Sequence, residues 1–339
     1  MIELRGDSLV FSFPEVHPDA RLEVDLQRTL RIPDDGRNHA LPPGLGSFPL
    51  RHVDDHAARL PAEWVRRGGV MLPMYQAEAL WIRFRSPTGY PFAVKVATGK
   101  INAVTGEPWR EGLNRGPQDY VAVPGQPWLD GYVVEKGFIR QFVAMPLGAG
   151  YTAEEQVTGA AEHGGLQVMA LPLKREAWER LVAERAEQAR KAPPMPRFAA
   201  AAAPASASMA MGLGAGGRMK QEIYRDTMPL EDWDLRASSR CFVHIANSLV
   251  WRSVTGTEPP TVPPTAEEYT RAGLPWFDYY AEGRTAVEGS GILAAIKSVL
   301  TLGKEKGDVP LPENVPVEPV HVVPLHEKPA GATVHEEVF

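Results

Sequence analysis

The sequence predicts an α+β protein that is predominantly β, with antiparallel, sandwich-like sheets, a few short helices and two longer surface helices. Glycine and proline number 31 and 32 among 339 residues. They separate short apolar runs, a spacing typical of many short strands joined by ordered loops. Only 174–191 and 285–302 combine the length and the apolar period of substantial helices. We expect both helices to pack on the surface.

The densest strand signal is a predicted hairpin. Two apolar runs, 132–135 and 138–147, flank a Lys-Gly pair, and glycine accepts the positive φ of a hairpin turn. A two-residue turn sets Glu135 diagonal to Arg140 on one face, within reach of an ion pair. The second run is apolar on both faces except at Arg140 and its neighbour, so we expect a central strand that is covered on both sides.

Further strands are predicted along the chain. The segment 21–32 alternates apolar and polar residues, which predicts a strand with one buried face and one solvent-exposed face. The segment 33–49, rich in proline and glycine, is expected to be a long loop. Other short apolar runs predict strands at 9–13, 78–84, 92–96, 101–104, 120–123, 166–171, 240–246 and 320–323.

Three short helices are predicted from the residues at their ends. Proline opens 61–67, and two glycines follow it. Thr152 and Glu155 have the spacing of a capping box, in which each side chain bonds the backbone N–H of the other residue. Thr265 and Glu268 repeat this spacing in the second half of the chain.

The composition predicts two lobes joined by a segment of small residues. We expect a β-rich N-terminal lobe at 1–192 and an Ala/Pro/Ser/Gly linker or docking arm at 193–217. A smaller C-terminal lobe follows at 218–325, either folding by itself or completing the same sheets. The last residues, 326–339, are expected to be loose.

Charge and cysteine content restrict the function and the compartment. The net charge is −6 and no basic tract is present, so we expect no nucleic-acid partner. The uncharged stretch 198–217 is dominated by small residues and interrupted by proline, so we expect no membrane span. The first residues lack the layout of a signal peptide. A single cysteine, Cys241, excludes internal disulfides and cysteine-based metal sites, and we expect a cytoplasmic location.

Familiar catalytic motifs are absent from the sequence. Gly212, Gly214 and Gly217 match the dinucleotide-binding string, yet they follow a low-complexity run where the motif requires a strand. Neither GxSxG nor HExxH occurs. We therefore expect no cofactor, and the interpretation leans away from an enzyme.

His52 and His56 form the best candidate for a metal site. On a helix, histidines four residues apart share a face. However, a catalytic zinc needs a third protein ligand, and the sequence identifies none. We favour the alternative in which the neighbouring aspartates cap a short helix and the histidines are solvated.

Two segments share the pattern Pro-Trp-x-Asp, at 127–130 and 275–278. One interpretation is an aromatic, carboxylate-lined groove for a carbohydrate. The other, which we favour, is that each Pro-Trp turn anchors a loop in the core, with the aspartate capping the turn. The candidate ligand-binding residues are Trp128, Trp276, Tyr280 and His163, and the candidate catalytic residues are Asp130, Asp278 and Glu155, with Glu154 beside it.

The strings PWLDGY, RQFVAMPLG and GLPWFDYY resemble those of an uncharacterised family of bacterial and fungal proteins, along most of the chain. The resemblance implies one continuous protein. It implies no activity, cofactor or site.

These observations favour a non-catalytic structural or interaction protein. The small-residue arm and the edge strands predict self-association into a homo-oligomer, or binding of another protein. The alternative is a hydrolase or a binding module for a carbohydrate or a related polar polymer, built on the Trp and Asp loops.

Overall fold

The computed structural model describes residues 1–189, 211–281, 283–309, 314–319 and 321–326, and the fold is predominantly β, as predicted. The strands are β1 Ile2–Arg5, β2 Ser8–Ser12, β3 Arg21–Thr29, β4 Asn38–His39, β5 Gly44–Ser47, β6 Arg51–His52, β7 Val70–Pro73, β8 Ala79–Arg85, β9 Phe92–Thr98, β10 Ile101–Asn102, β11 Val121–Val123, β12 Trp128–Leu129, β13 Gly131–Glu135, β14 Phe138–Pro146, β15 Leu166–Pro172, β16 Met211–Lys220, β17 Ser239–Ala246, β18 Trp276–Tyr280 and β19 Val322–His326. The helices are α1 Ala62–Arg67, α2 Ala153–Thr158, α3 Arg175–Ala189, α4 Ser248–Thr255, α5 Ala266–Arg271, α6 Gly291–Ala295 and α7 Val299–Lys306, with 3₁₀ segments at Asp54–Arg59 and Leu230–Asp232.

Two arrays of strands enclose one large apolar cluster. The first array has the order β1-β2-β3-β8-β14-β16-β4, and the second has the order β6-β7-β17-β15-β9-β11. Most neighbours are antiparallel, and β16–β4 and β17–β7 are parallel. Within the described residues, the pairing of Met211 on β16 with Ile245 on β17 joins the two arrays in one sheet. The architecture is therefore sandwich-like, as predicted.

The Tyr132 hydroxyl lies in the middle of this core. It donates a hydrogen bond to the carbonyl oxygen of Leu213 at 2.8 Å and lies 2.7 Å from the hydroxyl of Thr98. Because Thr98 ends β9 and Leu213 belongs to β16, one buried side chain connects both arrays. Burial also raises the pKa of Tyr132, which keeps the phenol neutral.

The predicted linker is wrong where the structure describes it. Residues 211–217 are the first part of β16, a buried central strand that pairs with β14 along its length. A Cβ on Gly214 would lie 2.8 Å from the carbonyl oxygen of Tyr151, and one on Gly217 would lie 2.4 Å from that of Pro33. The small residues are therefore needed for close packing. The glycine string has this role, and no dinucleotide loop is formed there.

The predicted boundary at residue 218 divides β16, so the strand pairing supports the alternative in which the C-terminal part completes the same sheets. Both β16 and β17 lie inside arrays whose other strands precede residue 190. The second half of the chain thus completes the sheets of the first half. The remainder of the predicted linker, 193–210, and nearly all of the predicted tail, 327–339, lie outside the described residues.

The predicted Glu135–Arg140 ion pair does not form. The β13–β14 hairpin turns at Lys136-Gly137 as predicted, but a bulge at Val134 shifts the register. Arg140 instead lies 3.3 Å from Asp34, and Glu135 lies 2.6 Å from Arg218 on β16. Arg218 lies on the neighbouring strand β16 and Asp34 lies between β3 and β4, and pattern analysis could supply neither partner.

The solvent-exposed face predicted for 21–32 is wrong, because β3 is buried on both faces. Its acidic side chains are covered by arginines of β8, as in the pair of Asp25 with Arg83 at 2.8 Å. Arg28 and Glu78 form a second ion pair at 2.8 Å, with each side chain only 1% exposed. The predicted loop 33–49 contains two short strands, β4, which pairs with β16, and β5, which pairs with β3.

Helix predictions succeed where local end signals are strong. The capping boxes at Thr152 and Thr265 are both present, and α3 confirms the first longer helix. The second longer helix, predicted at 285–302, is wrong. Ser290 and Ser298 instead cap two short helices, α6 and α7. None of the helices within the described ranges is long and apolar enough to cross a membrane.

We predict that Tyr132→Phe lowers the free energy of unfolding by about 1–3 kcal/mol, because it leaves two buried polar groups without their partner. Chemical denaturation of the purified protein measures this difference. Tyr75→Phe is the matched control, because the Tyr75 side chain is only half-buried. Equal stability of the two variants would contradict the role assigned to Tyr132.

Candidate functional site

The two Pro-Trp segments meet at a group of three half-buried aromatic residues. The Trp128 ring lies 4.7 Å from the Tyr279 ring and 6.3 Å from the Trp81 ring, measured between centroids. Trp128 lies on β12, next to β8, which carries Trp81. We call Trp81, Trp128 and Tyr279 the aromatic cluster. It joins the first array to the small parallel sheet of β18 and β19.

A buried carboxylate supports the cluster from inside. Asp130 is 4% exposed, and the Gln221 amide donates a hydrogen bond to its Oδ2 at 2.5 Å. The Asp130 backbone N–H donates to Gln221 Oε1 at 3.0 Å. Burial raises the pKa of Asp130 to about 7, while hydrogen bonds from Gln221 and from the Trp128 side chain act in the opposite direction. Asp130 is thus bonded to Gln221 and lies beside the Trp128 side chain.

Polar groups lie at the rim of the cluster. Lys220 Nζ lies 2.8 Å from Asp278 Oδ2. Three buried atoms on residues of the cluster or of adjacent segments, Asp278 Oδ1, Glu222 Oε2 and Trp81 Nε1, have no hydrogen-bond partner within the described part of the chain. Two of these atoms are acceptors and one is a donor. All three atoms are shielded from solvent, so the polar groups that a ligand reaches directly are the exposed parts of Lys220 and Asp278.

The candidate catalytic aspartates face different environments. Asp130 is enclosed, whereas the Asp278 side chain is 38% exposed. Each is held by one of two consecutive residues, Gln221, which is buried, and Lys220, whose side chain is 52% exposed. A glycosidase places both carboxyl groups on one scissile bond; here one carboxyl group is enclosed with Gln221 and the other is paired with an exposed ammonium group.

The second Pro-Trp turn contributes to packing. Trp276 is 0% exposed, its indole N–H donates to the Thr270 hydroxyl at 3.1 Å, and its ring meets the edge of Tyr269. Trp276 therefore anchors α5 and β18 in the core. Tyr280 lies at the end of β18, and its side chain is outside the described set.

Glu154, Glu155 and His163 lie together around α2. Glu155 completes the Thr152 capping box and accepts the Gly150 N–H at 2.7 Å. Glu154 is 3% exposed and accepts the backbone N–H groups of 162, 163 and 164. Burial is the main cause that lowers the pKa of His163. Both carboxylates thus have structural partners in this loop.

The geometric premise of the metal site is wrong. His52 belongs to β6 and His56 to the 3₁₀ segment Asp54–Arg59, so the two histidines do not share one helical face. Across the ranges that the structure describes, no three His, Cys, Asp or Glu side chains are grouped to hold a metal ion.

Sequence reasoning missed Trp81, Lys220, Gln221 and Glu222. Trp81 carried a usable signal, because it lies at an alternate position of the predicted strand 78–84, opposite its apolar neighbours. The other three follow the segment predicted as a linker, and nothing local marks them.

Comparison of the chain with protein-family models, with curated proteins and with solved structures found no match. The resemblance to a family of bacterial and fungal proteins stays a prediction.

We predict that Asp130→Asn stabilises the protein increasingly as the pH rises. Because the folded-state pKa is raised from 3.8 to about 7, the wild type is relatively most stable below pH 4 and loses this stability up to about pH 7. The asparagine does not titrate. At 1.36 kcal/mol per pKa unit, the variant gains roughly 3–4 kcal/mol over the wild type between pH 4 and pH 8.

Thermal and urea unfolding at both pH values measure this gain. Asp54→Asn, at an exposed position of the 3₁₀ segment, is the control for loss of one carboxylate. A stability difference for Asp130→Asn that does not change with pH would show that Asp130 titrates as an ordinary surface carboxylate.

Proposed function

We propose that the chain is a non-catalytic binding protein for a carbohydrate or a related polar polymer, and that the ligand lies on the aromatic cluster. The observation that carries the proposal is the contact between the Trp128 and Tyr279 rings, whose centroids lie 4.7 Å apart and whose planes are inclined at 60°, beside the buried carboxylate of Asp130. A ring fixed in this way loses little entropy when a ligand packs against it.

The chemistry of the rim supports a polyhydroxylated ligand. A sugar ring presents an apolar face of C–H groups and an edge of hydroxyls, each of which can donate and accept. The apolar C–H face can pack against the faces of the aromatic rings. The Asp278 carboxylate, whose side chain is 38% exposed, offers acceptor atoms. The Lys220 ammonium adds a donor beside Asp278.

The environments of the carboxylates favour binding over hydrolysis. Asp130 is bonded to Gln221, and Glu155 is used by its capping box. Asp278 is paired with Lys220. An acid–base pair needs one group that is positioned to give a proton and a second on the opposite side of the bond. These three carboxylates have separate partners in separate places.

We predict that Trp128→Ala abolishes retention of the protein in native gels that contain a soluble polysaccharide, tested with a mixed-linkage glucan, a xylan and glycogen. Loss of a stacking ring removes about 1–3 kcal/mol of binding, roughly a tenfold to hundredfold weakening. Trp109→Ala, also half-buried but remote from the cluster, is the matched control. No retention of the wild type in any gel, or equal retention of both variants, would refute the proposal.

Self-association is a second candidate, favoured by exposed apolar side chains on the small sheet. Val322 is 45% exposed, Leu325 is 38% exposed, and Leu274 nearby is 45% exposed. The backbone of β19 suits strand addition poorly. The Trp276 N–H bonds to the His321 carbonyl, so Pro324, which has no N–H, faces the outer edge. We therefore propose that two copies meet through the exposed apolar side chains of β19, which lie on both of its faces.

We predict a dimer in the micromolar range by light scattering, and a monomer for the double variant Val322→Ser/Leu325→Ser. Val262→Ser is the control, at a loop position outside β19 that is 66% exposed, and it should leave the mass of the particle in solution unchanged. A wild type that stays monomeric at all accessible concentrations would rule out this second candidate.

We also propose a cytoplasmic location, with another copy or another protein as partner and no nucleic acid. The chain has a single cysteine, Cys241, which cannot form an internal disulfide, and this supports a reducing compartment. The net charge of −6 supports the exclusion of nucleic acid.

A further inference from the structure

A second candidate site lies on the other array, away from the aromatic cluster. A cleft of about 250 Å³ is formed by α1, the β9–β10 turn, the loop after β10, and strands β15 and β17. Three cationic side chains line it, Arg67, Lys100 and Arg240, together with one carboxylate, Glu111. Glu111 pairs with Arg240 at 2.7 Å, so the lining has a net positive charge.

Two aromatic rings, those of Phe242 and Trp109, form the apolar part of this cleft. Phe242 stacks on His244 at 4.4 Å, and His244 stacks on Trp64 at 4.5 Å, with interplanar angles below 25°. The Arg67 guanidinium lies 5.3 Å from the Phe242 centroid. Trp109 also lines the cleft, with Lys95 Nζ 5.3 Å from its ring. The stacked column fixes the Phe242 ring before any ligand arrives.

The cationic groups are also held in place. Arg67 donates hydrogen bonds to the carbonyl oxygens of Glu162 and His163 at 2.8 and 3.1 Å, and it lies 3.4 Å from the exposed carboxylate of Glu63. Lys100 occupies the second position of the β9–β10 turn with φ of 61°. Its backbone N–H donates to Gln167 Oε1 at 2.6 Å. The turn therefore presents the Lys100 side chain at the mouth of the cleft.

A lysine at this backbone position has a measurable cost. Residues other than glycine or asparagine lose about 1 kcal/mol or more in the left-handed region. The first position of the same turn is occupied by a glycine, Gly99, with φ of 54°. The ammonium group lies close enough to His163 to contribute to the lowered pKa of that imidazole. The neighbouring Cys241 thiol is buried and protonated, so the cleft offers binding without covalent chemistry.

We propose that this cleft binds a phosphate monoester that carries a flat ring. The phosphate pairs with Lys100 and with the guanidinium of Arg67 or Arg240, and the ring packs against Phe242 and Trp109. Binding needs both the phosphate and the ring of the ligand, because exposed cations alone hold a free anion weakly in water. This inference does not depend on the aromatic cluster.

The test is an NMR titration of the full chain with phenyl phosphate, inorganic phosphate and benzyl alcohol. We expect saturable shifts for phenyl phosphate at the amides of Lys100, Gln167 and Phe242, and an affinity at least tenfold higher than for either fragment alone. Lys100→Asn removes the charge while tolerating the positive φ, and it should weaken phenyl phosphate binding about tenfold. Lys100→Gly is the second variant if the asparagine protein folds poorly.

Arg271→Asn is the matched control, because it removes one exposed cation from the remote helix α5. The proposal is overturned if phenyl phosphate gives no saturable shift, if its shifts lie outside the cleft, or if inorganic phosphate binds equally well. It is also overturned if the Lys100 variants bind as tightly as the wild type.

Discussion

The structure depends on a constraint at β16, a long buried strand with very few side-chain atoms. Gly212, Gly214 and Gly217 let the chain pass where a Cβ would lie 2.4 to 2.8 Å from atoms of neighbouring segments. Because β16 pairs with β14 and touches β17, it connects both arrays through the shared core. A bulkier strand would force these layers apart, since protein interiors are close-packed.

The same strand also positions the candidate binding site. Its last residue, Lys220, pairs with Asp278, and the next residue, Gln221, bonds the buried Asp130. These two contacts tie the two Pro-Trp segments to one short stretch of chain. Burying Asp130 costs stability whenever its carboxylate is charged. The proposed function accounts for the buried carboxylate, because it lies beside the Trp128 ring against which a ligand would pack.

The sequence predicted the features that depend on near neighbours along the chain. The two capping boxes, the Lys136-Gly137 turn and most strands follow from residues a few positions apart. Features set by distant partners were not predictable in this way. The bulge at Val134 depends on packing between strands, and the buried polar face of β3 depends on arginines of β8 such as Arg83. Composition alone could not distinguish a linker from a strand whose small residues are required by its neighbours.

Only some residues of the candidate site were predictable from the sequence, for the same reason. Trp128 and Asp278 were identified from the repeated pattern, whereas Lys220 and Gln221 became visible only once the strand that carries them was placed. The most direct test of the account follows the indole N–H resonance of Trp128 among the eight tryptophans, assigned with Trp128→Phe. The account predicts that this resonance moves with a midpoint near pH 7 as Asp130 titrates, and moves again when a glucan or xylan oligosaccharide is added. A resonance that responds to neither would contradict both the support of the indole by Asp130 and the binding surface built on it.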